Sequence, residues 1–327
     1  MYRLRDSRVP FVVLITAIML FVGACGSSTT GGSSATAQKT IGFSVYDMQY
    51  GYFQNMEKGT HEATTAAGYK YLLEDEKSSE STMVSGATDL LNRGISALII
   101  SPFQPTALSP IVEQAHQKKI PVIVDDIGGG GSNYDAIVIS DNTKGGVLAA
   151  DQMDKLIKAK AGASKNVASI TCEPSAVYAA RRNAGFEQEI KSLGYTVVAS
   201  ISGNSQQEQG YKVMKDILAA HPDVSGVFAC NDPMAVGAAQ ALADSHKSGS
   251  KDVFVIGFNG DQIALDAIKA GQMSATIQQV PEKMGQMTVQ LATDLINKKP
   301  IHFDNAANRE IYVPVNLITS ANLPASS

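Results

Sequence analysis

The chain has 327 residues, of which 44% are hydrophobic and 18% are charged, and its formal net charge is −4. This length exceeds what one typical hydrophobic core organises and predicts two domains. Lysine and arginine residues are scattered along the sequence, and the isoelectric point is near 5.8. The chain therefore lacks the basic field that polyanion binding needs, which argues against a nucleic-acid partner.

The first 24 residues predict an export signal. Arg3, Arg5 and Arg8 precede an apolar run at 9–22, and small residues separate this run from Cys25. A basic region, an apolar region and a small-residue cleavage site in this order are typical of a signal peptide. The run is shorter than the roughly 20 apolar residues that a membrane-spanning helix needs, so a retained span is the weaker interpretation.

Cys25 is expected to carry a lipid. Residues 22–25, Val-Gly-Ala-Cys, resemble the bacterial lipobox, in which the cysteine sulfur receives a diacylglycerol. Residues 25–38 comprise the lipidated cysteine and a segment rich in serine, threonine and glycine. This segment should act as a flexible tether. We expect the folded part to begin at Lys39 and to be lipid-anchored on the outer face of the cytoplasmic membrane.

From Thr40 onward, short apolar runs alternate with longer segments of helical period, which is typical of a parallel sheet covered by helices. We predict an α/β fold of two doubly wound parallel-sheet domains that a three-strand hinge joins, with the ligand in the interdomain cleft. Predicted strands in the first half are 41–46, 69–73, 97–101, 122–125 and 136–139, with helices at 51–67, 79–92 and 105–119. A helix at 144–160 then leads to predicted strands at 167–171, 196–201, 226–229, 253–257 and 275–278, followed by a helix at 282–297 and a strand at 310–313.

The order of these elements predicts three crossings between the domains, near residues 140–142, 279–281 and 313–315. Pro281 and Pro314 mark two of the crossings as hinge elements. The predicted N-terminal domain comprises residues 39–141 and 280–313, and the predicted C-terminal domain comprises residues 142–279 and 314–327.

Polar and aromatic residues follow nearly every predicted strand. Ligands of open α/β sheets bind beyond the carboxyl ends of the strands. Aromatic faces with charged and amide groups suit a sugar, because they cover its C–H surfaces and pair with its hydroxyls. The sequence contains no phosphate-binding glycine loop, nucleophile elbow or zinc-protease motif. We therefore expect a binding protein with no cofactor, no metal and no enzymatic activity.

Paired carboxylates are the basis of the competing hydrolase hypothesis. Asp125 and Asp126 are adjacent on a strand and would point to opposite faces, so they cannot flank one bond. Asp47 and Asp126 could both reach the cleft, but Arg182 would lower the pKa of a neighbouring carboxyl and disfavour a general acid. The hydrolase hypothesis therefore ranks low.

Cys172 and Cys230 each end an apolar run that predicts a strand. An exported protein can form a disulfide, and neighbouring parallel strands would bring the two Cα atoms within bridging range. Two buried free thiols are an equally good interpretation.

Several segments together resemble the type I periplasmic sugar-binding proteins, of which ribose-binding proteins are the familiar members. The resemblance spans about residues 40–319, and its order and spacing are specific for the fold. The same pattern occurs in sensor domains of sugar-responsive repressors. A repressor function is disfavoured for this chain, because an export signal precedes Thr40 and a helix-turn-helix does not. The matching segments are 41–45 ahead of 52–53, 120–123 ahead of Asp126, 140–142, 182–186, 221–232, 255–260 and 275–279.

The resemblance implies a set of ligand-binding residues. Tyr52 and Phe53 match the aromatic pair of the family, and Tyr50 falls where ribose-like members place an amide. Arg181 is a rival for the role of Arg182. The polar residues that match are Asp126, Arg182, Asn231, Asn259 and Gln279.

Three departures from the ribose-like pattern bear on the ligand. Asn259 stands in place of an aspartate, Ile127 in place of an arginine, and Ser205 in place of an aromatic residue. The site has thereby lost charge and stacking surface. We expect a different pentose, a hexose, a linear polyol or a cyclitol to fit better than ribose.

The resemblance also implies a mechanism and partners. The two domains would close about the hinge on a small carbohydrate, and a permease of the ATP-driven importer type would recognise the closed form. A monomer suits this motion. The alternative is a sensor whose closed form docks on a chemoreceptor or a sensory kinase.

Overall fold

The computed structural model describes residues 38–174 and 176–324. The predicted export signal, the lipidation site at Cys25 and most of the predicted tether lie outside these residues. Within the described part of the chain, no helix combines the length and the apolar character needed to cross a membrane.

The first sheet has six parallel strands in the order β2-β1-β3-β4-β5-β11. Its central strands are apolar on both faces because helices cover both sides, and β3 and β4 are buried along their whole length. The strands are β1 (Thr40–Val45), β2 (Lys70–Asp75), β3 (Ala97–Ile100), β4 (Val122–Asp125), β5 (Ala136–Ser140) and β11 (Glu310–Val313), and the helices are α1 (Gly51–Ala66), α2 (Glu80–Asn92), α3 (Leu108–Gln117) and α9 (Pro281–Ile296).

The second sheet repeats this order as β7-β6-β8-β9-β10-β12. All its pairings are parallel except that of β10 with β12. The strands are β6 (Asn166–Thr171), β7 (Thr196–Ser202), β8 (Gly226–Ala229), β9 (Phe254–Asn259), β10 (Ala275–Gln278) and β12 (Asn316–Thr319), and the helices are α4 (Asn142–Ala159), α5 (Val177–Ser192), α6 (Gln207–Ala220), α7 (Asp232–Asp244) and α8 (Gln262–Lys269).

The chain passes between the sheets three times, after β5, after β10 and after β11. The predicted fold class is therefore confirmed. The strand β12 was not predicted. It has only four residues, and it lies at the edge of its sheet, where half-exposed residues interrupt the apolar pattern.

The predicted helix at 105–119 differs in its first turn. Residues Pro105–Ala107 form a 3-10 turn, and the α-helix begins at Leu108. Pro110 has no N–H group and cannot donate to the carbonyl of Thr106, so the α-helical pattern cannot extend back to Pro105. In the first turn of α3 the missing donor costs nothing, because N–H groups there have no helical partner.

Glycines allow close helix pairs on both sheets. The pairs are α1 with α9 on the first sheet, and α4 with α5 and α6 with α7 on the second. A Cβ atom on Gly59 would overlap the carbonyl oxygen of Glu282, and one on Gly146 would overlap the carbonyl oxygen of Arg182. Gly146 thus lets α5, which carries Arg182, lie directly against α4.

We expect Gly59→Ala to lower the free energy of unfolding by about 1–3 kcal/mol, because the methyl group forces α1 away from α9. Gly51→Ala is the matched control, since a Cβ atom there meets nothing within 4 Å. Urea denaturation of both variants checks this. Equal stability of Gly59→Ala and the unaltered chain would show that the helices separate without cost.

Cys172 and Cys230 form a disulfide across neighbouring strands, with 5.7 Å between their Cα atoms. Cys172 follows β6 and Cys230 follows β8, which pair directly. The bond therefore joins two strand-end loops, one of which leads into Asn231.

Replacing both cysteines by serine should lower the free energy of unfolding by about 2–4 kcal/mol, because the unfolded chain then gains freedom. Denaturation with and without dithiothreitol measures this. The reductant should destabilise the unaltered protein and leave the double variant unchanged; an unaltered protein insensitive to complete reduction would contradict the prediction.

Candidate functional site

A cavity of about 630 Å³ opens between the carboxyl ends of the two sheets. Its lining includes all eight residues that the sequence predicts for ligand binding. These are Tyr50, Tyr52, Phe53, Asp126, Arg182, Asn231, Asn259 and Gln279.

An aromatic wall lies on the side of the first sheet. Tyr46, at the end of β1, stacks on Phe53 with ring centroids 4.9 Å apart and planes 12° apart. Tyr52 meets Phe53 edge to face at 5.2 Å. Phe53 is only 8% exposed, so most of its ring packs into the core, whereas Tyr50 is 49% exposed. Tyr46 was not predicted, because the predicted strand at 41–46 included it, whereas β1 ends at Val45.

Asp126 and Tyr52 lie close together on this side. Asp126 follows β4 and adopts a left-handed backbone conformation, with φ of 64°, which sets it apart from the straight path of the strand. Burial raises the pKa of the Asp126 carboxyl, while the positive charge of Arg182 and the hydroxyl of Tyr52 oppose that rise. The carboxylate thus faces a cation that belongs to the other sheet.

Arg182, on α5, is that cation. Its Nε donates to Asn142 Oδ1 at 2.8 Å, and its Nη1 donates to the carbonyl of Cys230 at 3.0 Å. The guanidinium lies 4.0 Å from the ring centroid of Phe258, and the side chain is 8% exposed. Because the group is held from several sides, it presents a fixed cation and unused N–H groups to the cavity.

Arg181, the rival candidate, points elsewhere. Its guanidinium makes a two-pronged ion pair with Glu310, at 2.8 and 3.1 Å. Glu310 is fully buried, so Arg181 is committed to this partner. It does not line the cavity.

Three amide side chains complete the polar wall. Asn231 caps α7 by accepting from Met234 N at 3.0 Å and donates to the carbonyl of Ser205 at 3.1 Å. Gln279 Nε2 donates to Asn259 Oδ1 at 3.1 Å. These bonds orient each amide before any ligand arrives.

Asp232 holds the loop that follows β9. Its buried carboxylate accepts from the backbone N–H groups of Gly260 and Asp261 at 2.8 and 2.7 Å, and from Thr276 Oγ1 at 2.6 Å. Burial raises the pKa of Asp232 to about 7 against these hydrogen bonds. This loop places Asp261 in the cavity lining. Asp261 was not among the residues predicted from the sequence, although its position two residues after Asn259, at the end of β9, could have indicated it.

The three departures from the ribose-like pattern, Asn259, Ile127 and Ser205, all line the cavity. Ser205 donates its hydroxyl proton to the carboxylate of Glu173. The position that is aromatic in the ribose-like pattern is therefore polar here.

The structure does not bring together the carboxylate pairs of the hydrolase hypothesis. Asp47 accepts from Ser78 Oγ at 2.6 Å and from Gln49, and it does not line the cavity. Asp125 is fully buried on β4. Among the described residues, no group of three histidine, cysteine or acidic side chains is placed to hold a metal ion.

Comparison with known proteins gives the family. Residues 41–300 match the family described as periplasmic binding protein domain. The ribose import binding protein of Bacillus subtilis is 32% identical, over 88% of this chain and 93% of that protein.

Two solved structures extend the match. A periplasmic solute-binding protein of an ABC transporter from Actinobacillus succinogenes, with bound D-allose, shares 26% identity at a TM-score of 0.72 and covers 87% of this chain and 98% of its own. A carbohydrate transporter solute-binding protein from Agrobacterium radiobacter, with D-arabinose, shares 30% identity at a TM-score of 0.71 and covers 88% of this chain and 96% of its own. Such proteins bind solutes and are not enzymes. The expected resemblance is confirmed, and the chain belongs to the periplasmic binding protein family.

Proposed function

We propose that this protein captures a small carbohydrate outside the cytoplasm and delivers it to an ABC permease. One observation carries the proposal: an aromatic wall and Asp126 from one sheet face Arg182 and three amides from the other across a single cavity. Aromatic faces cover the C–H surface of a sugar ring, while charged groups and amides bind its hydroxyls. The relatives bind ribose, D-allose or D-arabinose, which supports the same class of ligand.

Capture would proceed by hinge closure between residues 39–141 with 280–313 and residues 142–279 with 314–327. Gln279 lies at one crossing and touches both sides. Its Oε1 accepts from Ser140 Oγ at 2.9 Å and its Nε2 donates to Asn259. A sugar that contacts Asp126 and Arg182 at once binds the closed state more tightly than the open state. This difference in affinity sets how far the sugar shifts the equilibrium toward the closed state.

The ligand proposed is a pentose other than ribose, a hexose, a polyol or a cyclitol. Ile127 and Asn259 leave the cavity with fewer charged groups than the ribose-like pattern has. Neutral hydroxyl-rich ligands that need fewer charge-assisted hydrogen bonds should therefore be preferred.

A thermal-shift screen of the purified protein tests the proposal. Pentoses, hexoses, polyols, cyclitols and amino acids would each be added in turn. A ligand at a hundredfold excess over its Kd stabilises the native state by about 2.7 kcal/mol. A shift with a carbohydrate supports the proposal, whereas a response to amino acids alone would overturn the substrate class.

The remaining elements of the proposal are export, a lipid on Cys25, a location on the outer face of the cytoplasmic membrane, and a monomeric state. The relatives named as ABC transporter components support the location and the permease partner. Mass spectrometry of membrane-bound protein should find a diacylglycerol on Cys25, and Cys25→Ser should release the protein from the membrane. Equal membrane attachment of the variant would refute the anchor.

A further inference from the structure

We propose that the cleft has a second ring subsite, so that the preferred ligand carries a pentose, hexose or cyclitol unit linked to a second ring, as in a disaccharide or a glycoside. The inference deepens the proposed function and rests on it. A second cavity of about 360 Å³ adjoins the first. Both are lined by Tyr46, Asp126, Ile127 and Arg182, so these four residues form the boundary between two connected chambers.

The second chamber alone reaches the size of an ordinary small-molecule site, which begins at about 300 Å³. The first, at about 630 Å³, already accommodates a monosaccharide. A ligand with one ring would therefore contact the lining of one chamber only. A ligand with two linked rings uses both.

The aromatic wall continues from one chamber into the other. Tyr46 stacks on Phe53 on one side and meets Phe103 on the other, with centroids 5.3 Å apart and planes 58° apart. Phe103 lines only the second chamber. Tyr52 is half-buried in the first chamber and Phe103 is half-buried in the second, so one aromatic side chain in each chamber can cover the C–H face of a sugar unit.

Two departures from the ribose-like pattern lie at or beside this boundary. Ile127, in place of an arginine, lines both chambers and leaves Arg182 as the cation there. Ser205, in place of an aromatic residue, lines the first chamber and bonds to Glu173, which lines the second.

The loop that carries Phe103 is held by a hydrogen bond to the buried residue Glu76. Phe103 N donates to Glu76 Oε2 at 2.6 Å, and Ser44 Oγ donates to Glu76 Oε1 at 2.7 Å. Glu76 is 1% exposed, and burial raises its pKa to about 7. The buried carboxylate of Glu76 thus holds the loop in place, which indicates that the aromatic wall at Phe103 is formed before a ligand binds.

Polar groups suited to sugar hydroxyls occupy the rest of this chamber. They are the amides of Gln104 and Asn142, the carboxylate of Glu173 and the phenol of Tyr178. Asn142 already accepts from Arg182 at 2.8 Å, so the same network reaches both chambers. A second ring here would find hydrogen-bond donors and acceptors together with an aromatic face.

Isothermal titration calorimetry of the full-length protein tests the inference. One-ring probes are D-ribose, D-arabinose, D-allose and myo-inositol; two-ring probes are sucrose, trehalose, cellobiose, lactose and galactinol. We expect at least one two-ring probe to bind at least about tenfold tighter than every one-ring probe, a difference of about 1.4 kcal/mol.

Variants assign the gain to the second chamber. Gln104→Ala and Tyr178→Ala, tested separately, should weaken the two-ring probe about tenfold and change one-ring binding less than about twofold. Tyr50→Ala, which alters only the first chamber, should weaken both kinds of probe.

The outcomes separate the two proposals. The second subsite would be refuted if no two-ring probe binds more tightly than the best one-ring probe. It would also be refuted if the second-chamber variants weaken the binding of one-ring and two-ring probes equally. Either result would leave sugar capture intact. Failure of every carbohydrate to bind would remove both.

Discussion

Arg182→Met should abolish carbohydrate binding, with a loss of at least about a hundredfold in affinity, or about 2.7 kcal/mol. Methionine retains an unbranched apolar side chain but removes the cation that lies over the ring of Phe258 and its N–H donors. Asn142 and Asp126 then lose the group that they face. Titration with the carbohydrate that gives the largest thermal shift measures the loss.

Two controls accompany this variant. Arg93→Ala removes a half-exposed arginine directly after α2 that lines neither chamber, and this variant should bind as the unaltered protein does. The circular dichroism spectrum of Arg182→Met should be unchanged, because the substitution leaves the helix α5 intact. A folded Arg182→Met variant with unaltered affinity would show that the ligand does not contact this arginine.

Asp125→Asn should raise the free energy of unfolding at pH 8 by about 1–3 kcal/mol. The Asp125 carboxyl is fully buried, and neither oxygen has a hydrogen-bond partner among the described residues. Burial raises its pKa well above the ordinary value, and the negative charge of Asp126 adds to the rise. Asparagine has nearly the same shape and carries no charge.

The sign of the pH dependence follows from proton binding. The folded state holds the proton on Asp125 at a pH where the unfolded chain has released it, so stability falls as the pH rises above about 4. The advantage of Asp125→Asn should therefore be largest at pH 8 and vanish near pH 4. Asp89→Asn, on the exposed face of α2, should show no such trend. A variant less stable than the unaltered protein at pH 8 would mean that the carboxylate is satisfied.

Much of the fold could be predicted because buried parallel strands leave a plain pattern. The run at 97–100 is apolar on both faces, and glycines at 68 and 94 end the helices α1 and α2 with positive φ. The edge strand β12 lacks that pattern, and the 3-10 turn at Pro105 depends on one missing N–H at Pro110. Local chemistry could have indicated the turn, but only tertiary pairing defines the edge strand.

The eight predicted site residues share one cavity because the strand-end loops and the beginnings of the helices that follow them lie at the facing edges of the two sheets. Whether Arg181 or Arg182 faces the cavity depends on the rotation of α5, since successive helical residues point about 100° apart. The weak apolar face of α5 does not reveal that rotation in the sequence. Asp125 and Asp126 are identical in type, and alternation along a strand predicts that their side chains point to opposite faces. The left-handed backbone at Asp126, with φ of 64°, could not be predicted in this way.

A crystal structure with the best-binding carbohydrate from the calorimetric panel would show whether one ligand contacts both sheets. We expect the ligand in the cavity between the sheets, with hydroxyls bonded to both Asp126 and Arg182 and a ring face on Tyr52. These contacts would come from opposite sides of the hinge at once. A carbohydrate bound outside this cavity, or held by residues of one sheet alone, would contradict capture by closure.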